Sequence, residues 1–448
     1  MLQFTLARPK LNHSRCRLAK KAVIQPVKGT RDFYPELMVV RKWLYESAAS
    51  VSESFGYQEY EGPLIETLEL YAAKSGDELV KEQSFVFEDR GGNLVTLRPE
   101  LTPTLARMVA QRQYQLPFPL RWWSFGPFWR YERPQKGRTR EFFQWNIDLI
   151  GSNSTLADAE LIAIVAVFFK KVGLSPEDAQ ILVNNRQLME AELAALGFPP
   201  GEFKVVFQLI DRRDKLPSEK WKAYAADLGL KPAQIEALAG LLADQDLWQK
   251  SPSLKELFPA IDALGVSEYV QFAPHVIRGL DYYTGTVFEA QAIKGDLRRS
   301  ILGGGRYDNL LSDVGGDQIP AVGFAMGDLV ISLILEELGL IPADLTSSPA
   351  RIMVTIFDED TYLDALGLAH QYRQAGLKVN CYPQVEKLSK QFKYADRIGI
   401  KLVAVLGPDE IKNHTVALKN LATGEQITVE RASSTQEILK LLEDIESS

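Results

Sequence analysis

The sequence predicts an α+β protein, with an antiparallel sheet and flanking helices, a mostly helical insertion within that unit, and a smaller α/β domain after it. Three observations carry this expectation. Short β-like runs separated by Gly, Asp or Pro turns cluster before residue 151. Ala, Leu, Glu and Lys dominate from about 187 to 267. From 351 onward, strand-like and helical stretches alternate. With 448 residues, 46% hydrophobic and 24% charged, the chain is long enough for two or three cores.

In chain order, residues 1–26 read as a disordered basic tail. Eight cations and no acid stand in the first thirty-one residues. An organellar transit peptide has a similar charge, but this stretch holds one Ser and no amphipathic period. Val39–Phe55 has helical spacing and stops at Gly56, and Tyr57–Ile65 reads as an antiparallel strand that meets Pro63. Phe85–Glu88, Leu94–Leu97, Leu120–Phe128 and Phe142–Ile150 follow as strands. Thr155–Val172 reads as a helix, with Thr155 and Asp158 at capping-box spacing. The helical insertion spans about 187–267, with Lys231–Leu247 as one block. Sheet character returns at Thr286–Gln291 and Ser300–Leu302, and Gly327–Leu338 reads as an apolar helix. The first domain is thus 27–340, and 341–350, with Pro342, Thr346, Ser347, Ser348 and Pro349, reads as a linker. In the second domain, 351–448, the strands Ile352–Phe357, Val379–Tyr382 and Leu402–Leu406 alternate with helices over Thr361–Ala375 and Lys387–Ile398.

Composition excludes several functions. A net charge of −7 and a pI near 5.5 argue against a protein that coats nucleic acid without specificity, so RNA contact must be local. One local patch exists: Lys378, Lys387, Lys390, Lys393, Arg397 and Lys401 outnumber Glu386 and Asp396. It suits RNA phosphates, although a solvated helix face would look the same. Cys16 and Cys381 lie far apart and the four histidines have no metal-ligand spacing, which points to a reducing cytosol and no metal held by protein side chains. No apolar run reaches the ~18 residues of a membrane span. No nucleophile motif for covalent hydrolysis is present.

What remains is chemistry on phosphate. Residues 125–151 form two apolar arms around a loop carrying Arg130, Arg133, Lys136, Arg138 and Arg140 against one interior acid, Glu132. Guanidinium forks match phosphate oxygens, and Phe142, Phe143, Gln144 and Asp148 follow at once on the returning arm. Glu100 and Thr102 stand two apart on what reads as an extended segment, a receptor for an ammonium group or simply a turn. Arg278, Asp281, Tyr282 and Tyr283 crowd a glycine-flanked turn. Gly303–Gly305 permits a close backbone approach or a tight bend, with the bend as the default. Pro320–Gly327 ends a strand and opens a helix, where glycines let a nucleotide lie on backbone.

K-G-T-R-D-F-Y-P at 28–35, R-P-E-L-T-P at 98–103, the cationic hairpin, R-G-L-D-Y-Y-T-G at 278–285, G-G-G-R-Y-D at 303–308 and A-V-G-F-A-M-G at 321–327 together resemble histidyl-tRNA synthetases in order and spacing. The resemblance runs from about Val27 to the C-terminus and includes K-L-S-K-Q-F-K-Y-A-D at 387–396, similar to the family's anticodon-binding domain. It implies a class II synthetase catalytic domain, a homodimer formed partly around Pro63, and activation of L-histidine by ATP with Mg2+ before transfer to tRNA(His); the cytoplasmic location expected here rests on the cysteine usage and the poor transit-peptide signal. By the same resemblance, Arg130 and Arg278 are catalytic, Arg130 holding the α-phosphate and Arg278 bridging the histidine carboxylate and that phosphate. Arg138 reaches the outer phosphates, Glu132 and Phe142 contact adenine, and Gly327 lies against ATP. Glu100, Thr102 and Gln144 receive the α-ammonium, Asp148 and Tyr283 read the imidazole, and Tyr282 is a further histidine-binding residue. Lys387, Lys390 and Lys393 are the candidate anticodon contacts.

Two residues depart from the family pattern. Asp148 is one methylene shorter than the Glu of many relatives. The third motif lacks its usual arginine, whose position is Val330, leaving Arg298, Arg299 and Arg306 as candidates to replace it. The alternative is a non-catalytic paralogue that senses histidine or binds RNA, such as the regulatory subunit of ATP phosphoribosyltransferase. The missing arginine favours that alternative, whereas the full cationic hairpin, Arg278 and the C-terminal domain favour the enzyme.

Overall fold

The structure, a computed structural model, describes residues 23–72, 83–135, 137–213, 215–277, 282–295 and 300–446. The basic stretch over 1–22 lies outside them.

The helix Pro35–Ser54 starts with proline in its first turn, where the missing N–H has no partner to lose, and buries Leu44, Ala48 and Val51. The strands of the first domain are β1 (Gln58–Glu59), β2 (Ile65–Thr67), β3 (Phe85–Glu88), β4 (Leu94–Leu97), β5 (Leu120–Trp129), β6 (Glu141–Ile150), β7 (Ala179–Asn185), β8 (Val270–Phe272), β9 (Thr286–Ala292), β10 (Ser300–Arg306) and β11 (Ala321–Gly327). Among the described residues they form two sheets. One has the order β1-β5-β6-β11-β10-β9-β7-β8, with six antiparallel strands at its centre and parallel pairs at its two edges. The other is antiparallel, in the order β2-β4-β3.

Two local expectations are corrected. The strand expected over Tyr57–Ile65 shrinks to β1, which pairs parallel to β5 rather than antiparallel. Past Tyr60, whose N–H still donates to the Trp123 carbonyl of β5, the chain leaves the sheet: Pro63 has no N–H for a ladder and Arg98 Nη1 donates to the Gly62 carbonyl at 3.1 Å. The helix Thr155–Lys171 has no Thr155/Asp158 capping box. Ser154 is its N-cap, accepting from the Leu156 N–H at 3.2 Å, and Asp158 turns inward. Strand β7, which the sequence did not reveal, completes the sheet between β9 and β8.

Strand alternation divides the main sheet into two faces. Trp145, Ile147 and Leu149 of β6 enter a core with Leu161 and Phe168 of the helix Thr155–Lys171. Trp145 and Phe168 have ring centroids 5.1 Å apart, and the Trp145 indole donates to Ser52 Oγ at 3.1 Å, tying the sheet to the first helix. Each such buried ring contributes about 1.5–3 kcal/mol of transfer energy. The even residues Phe142, Gln144, Asn146 and Asp148 therefore share the opposite face. Between β7 and β8 the helices Arg186–Ala195, Phe203–Asp211, Ser218–Asp227, Pro232–Ala243 and Pro252–Ala263 follow one another.

The C-terminal strands β12 (Ile352–Val354), β13 (Val379–Cys381), β14 (Leu402–Val405), β15 (Thr415–Asn420) and β16 (Gln426–Glu430) run in the order β13-β12-β14-β15-β16. The first three are parallel, and the last two extend the sheet antiparallel. Leu368 and Tyr372 of the helix Tyr362–Gln374 pack with Ile438 and Leu442 of the helix Ser434–Glu446 in one core, and Ala395 of the helix Leu388–Arg397 joins Met353 and Val403 in another. No helix among the described residues is long and apolar enough to cross a membrane.

Candidate active site

The cationic loop is the tip of the β5–β6 hairpin, which closes at the Trp129–Glu141 pair and again at a Gln135–Arg138 bridge. Gly137 turns the tip with φ +78°, a region that penalises a Cβ. The cations of the tip have different partners. Arg138 Nε meets Glu132 Oε2 at 2.7 Å, with Arg138 largely exposed and Glu132 largely buried. Arg130 Nε donates to the Pro99 carbonyl at 3.0 Å, and its guanidinium lies 5.3 Å from the Phe142 ring centre. Phe142 in turn stacks on Phe128 at 6.0 Å. Arg140 is structural: it stacks over Tyr131 and donates to the carbonyls of Glu132 and Lys28, fastening the segment before the first helix. Lys136 lies outside the described residues.

Behind the tip, several positions flanking β6 on this sheet face carry little or no side chain. Register places Gly126 and Gly327 on either side of Gln144, Gly323 beside Asp148, Ala325 beside Asn146, and Gly303 and Gly305 beside Ala325 and Gly323. These small residues form a floor of backbone. At Gly323 an added Cβ would overlap Asp148 Oδ1, and at Gly305 it would come within 2.9 Å of the Tyr283 ring. The triplet Gly303–Gly305 is therefore neither a bend nor a loop but extended strand, which corrects the default reading. A cleft of about 240 Å³ lies against this floor, lined among others by Arg130, Glu132, Arg138, Phe142, Gln144 and Gly327. Leu329 and Val330 line it too, so the position of the absent arginine faces this cleft.

Farther along the same face, Asp148 is 5% exposed and accepts a 2.5 Å hydrogen bond from the Tyr307 hydroxyl. Burial pushes its carboxyl up to about 7, although the Tyr307 hydrogen bond pulls the other way. Tyr282 packs edge-on against Tyr283 and Tyr307, with centroids 5.1 and 6.1 Å away. Burial raises its phenol well above the ordinary range, the Glu100 carboxylate adds to that rise, and a hydrogen bond to Thr102 opposes it. Thr102 opens the helix Thr102–Arg112, with Pro103 in its first turn, so Glu100 and Thr102 sit at a strand-to-helix junction instead of on an extended segment. Tyr71 donates to the Glu100 carbonyl at 3.2 Å. The expected residues thus gather in two adjoining groups on one sheet face, joined by β6.

Some candidates fall elsewhere. Arg278, Arg298 and Arg299 lie outside the described residues. Arg306 is not a replacement for the missing arginine: it pairs across β10 and β11 with Val322, a core residue, so its side chain leaves on the helix side. There it meets Asp158 Oδ1 at 2.5 Å and the carbonyls of Ser152 and Ser154 at 2.8 and 3.1 Å. Sequence reasoning also passed over two residues. Tyr307 follows the glycine triplet by two positions, and its phenol was the signal. Arg31 pairs with Asp328 at 2.8 Å, while Asp328 Oδ1 accepts the Phe143 N–H at 2.9 Å, extending the β6–β11 ladder by one bond. Lys387, Lys390 and Lys393 are exposed around the helix Leu388–Arg397, with Lys390 held at 3.0 Å by Glu386. Among the described residues no group of three or more His, Cys, Asp or Glu could hold a metal ion.

Comparison with known proteins gives a consistent result. A family model described as histidyl-tRNA synthetase matches residues 29–328, and one described as anticodon binding domain matches 351–441. The chain is similar to the chloroplastic/mitochondrial histidine–tRNA ligase of Arabidopsis thaliana, 39% identical over 420 residues that cover 92% of this chain and 86% of that protein. To the histidine–tRNA ligase of Haloarcula marismortui it is 36% identical over 417 residues, 90% and 95% of the two chains. The crystal structure of histidyl-tRNA synthetase from Nostoc sp. PCC 7120 matches with a TM-score of 0.81 at 26% identity, covering 94% of this chain and 100% of that one. A Bacillus halodurans structure described as an ATP phosphoribosyltransferase regulatory subunit/histidyl-tRNA synthetase shares the fold, with a TM-score of 0.71 at 22% identity, covering 87% of this chain and 100% of that one. With the motifs on one sheet face and both family models matched in order, the chain belongs to the histidyl-tRNA synthetase family of aminoacyl-tRNA ligases.

Proposed function

We infer that this chain is a histidine–tRNA ligase: it joins L-histidine to ATP, giving histidyl-adenylate and pyrophosphate, and then passes the histidyl group to the 3′ end of tRNA(His). The observation that carries this reading is the cleft on bare backbone, where Arg130, Glu132, Arg138, Phe142 and Gln144 meet four residues along the strand from the buried Asp148. In the first step a histidine carboxylate oxygen attacks the α-phosphorus in line, and the bond to pyrophosphate breaks. Charge grows on the phosphate oxygens, and fixed cations in a water-poor cleft stabilise it most effectively. We assign Arg130 to the α-phosphate, Arg138 to the outer phosphates, Glu132 and Phe142 to adenine, and Gly327 to the floor beneath ATP, which enters as its Mg2+ complex. Glu100, Thr102 and Gln144 receive the ammonium group, and Asp148, Tyr282 and Tyr283 read the ring. Arg278 keeps, on its motif alone, the role of bridging carboxylate and phosphate.

Purified protein is expected to catalyse ATP–pyrophosphate exchange that depends on histidine and on no other amino acid. Absence of exchange at saturating histidine and ATP would sink this reading in favour of the histidine-sensing paralogue, against which the match over 351–441 already weighs.

Three finer assignments complete the proposal. The domains divide as 27–340, with an insertion over about 187–267, a linker at 341–350 and an anticodon-binding domain at 351–448, where Lys387, Lys390 and Lys393 meet the tRNA. The molecule works as a homodimer. It acts in the cytoplasm, and import of a reporter fused to residues 1–31 into an organelle would overturn that location.

A further inference from the structure

We propose that Asn146, Ser124 and Tyr60 are further determinants of amino-acid specificity, receiving the polar edge of the bound histidine ring beside Asp148. This inference rests on the histidine-activating reading and deepens it. The observation is a set of buried polar atoms without partners: Asn146 Nδ2, Ser124 Oγ and the Tyr60 hydroxyl make no hydrogen bond. Asn146 is 4% exposed and Ser124 1%.

Their placement is specific. Ser124 pairs directly with Asn146 across β5 and β6, and both lie on the site face, between the Gly126–Gln144 pair and the Trp122–Asp148 pair. Tyr60 donates its N–H to the Trp123 carbonyl at 2.9 Å and packs at a tilt against Trp122, with centroids 5.4 Å apart. Trp122 pairs with Asp148 in the sheet, and the Asp148 charge acts on the Tyr60 phenol. The three orphaned groups therefore surround the stretch of β6 between the proposed ammonium receptor, Gln144, and the proposed ring receptor, Asp148.

Folding normally pairs buried donors and acceptors, so three unpaired groups on one face are a standing penalty that a substrate can relieve. A neutral imidazole presents one N–H and one lone pair. One Asp148 oxygen already serves Tyr307, so once ionised the carboxylate can take the N–H on its other oxygen but has no proton to give the lone pair. The Asn146 amide and the two hydroxyls can donate. A ring without nitrogens leaves all of them unpaired, which is how polar sites reject apolar isosteres strongly.

The test uses Asn146→Ala, Ser124→Ala and Tyr60→Phe in the full chain. Removing an orphaned polar atom leaves the melting temperature of the free protein unchanged or raises it by a degree or two. In histidine-dependent exchange the same variants are expected to raise KM for histidine tenfold or more, hold KM for ATP within about twofold, and lower the preference for histidine over phenylalanine. An unchanged KM for histidine overturns the proposal and leaves the groups as packing defects. A lowered melting temperature with both KM values raised together assigns them a structural role and overturns it as well. If the parent protein shows no exchange, the ligase reading fails separately, and calorimetric titration with histidine decides the specificity proposal by the same tenfold criterion.

Discussion

Asp148 is the residue on which sequence and structure combine most closely. Its sequence position gives a carboxylate on the strand after the cationic tip, but only the fold shows it buried, bonded to Tyr307 and raised to about 7. Between about pH 4 and pH 7 the folded protein keeps a proton that the unfolded chain has released, so this residue lowers stability as pH rises through that window. Asp148→Asn has no charge to bury. Its stability relative to the parent should rise by about 2.7 kcal/mol from pH 5 to pH 8, at about 1.4 kcal/mol per unit of pKa. Urea denaturation at the two pH values measures this, and an equal difference at both would show that Asp148 titrates normally. Tyr307, Arg31 and the orphaned pair Ser124 and Asn146 were not legible beforehand, because each is defined by a partner 22 to 297 residues distant. Spacing arguments reach only along one element.

At the scale of elements, the sequence revealed most of what strand alternation and helix period encode. The hairpin arms expected at Leu120–Phe128 and Phe142–Ile150 are observed as Leu120–Trp129 and Glu141–Ile150. β7 escaped because its polar residues Gln180, Asn184 and Asn185 mask a strand buried on both edges. The C-terminal hairpin β15–β16 and the helix Ser434–Glu446 were also not read. The capping-box error came from a carboxylate whose purpose lies across the sheet: Asp158 binds Arg306 and receives the Thr286 hydroxyl at 2.7 Å. Breaking a buried pair leaves an unpaired charge and costs about 3–5 kcal/mol. Arg306→Met is therefore expected to lose about that much stability in chemical denaturation while KM for ATP stays within about twofold. A tenfold higher KM for ATP with full stability would return Arg306 to the list of phosphate contacts.

For the whole molecule, the small sheet β2-β4-β3 has an unusual surface. Ile65 is 50% exposed and Phe87 43%, and register places them on one face with Val95 and Leu97 between them. Contiguous exposed apolar residues mark interfaces in soluble proteins. The homodimer proposal accordingly predicts that light scattering gives twice the chain mass, and that Phe87→Asp yields a monomer with exchange activity reduced at least tenfold. A parent protein of single-chain mass would exclude the dimer.

The bare floor of the cleft also limits how this protein can change. A surface already reduced to backbone at Gly126, Gly303, Gly323 and Gly327 cannot be hollowed out further by substitution, and at Gly323 even one methyl group collides with Asp148. Selection for a larger or differently shaped amino acid must therefore act on the walls, at Gln144, Asp148, Tyr283 and Tyr307. The floor is a closed route to a roomier pocket, and Gly126, Gly305 and Gly323, where an added Cβ meets Arg98, Tyr283 and Asp148, are where a library of random variants should be poorest in survivors.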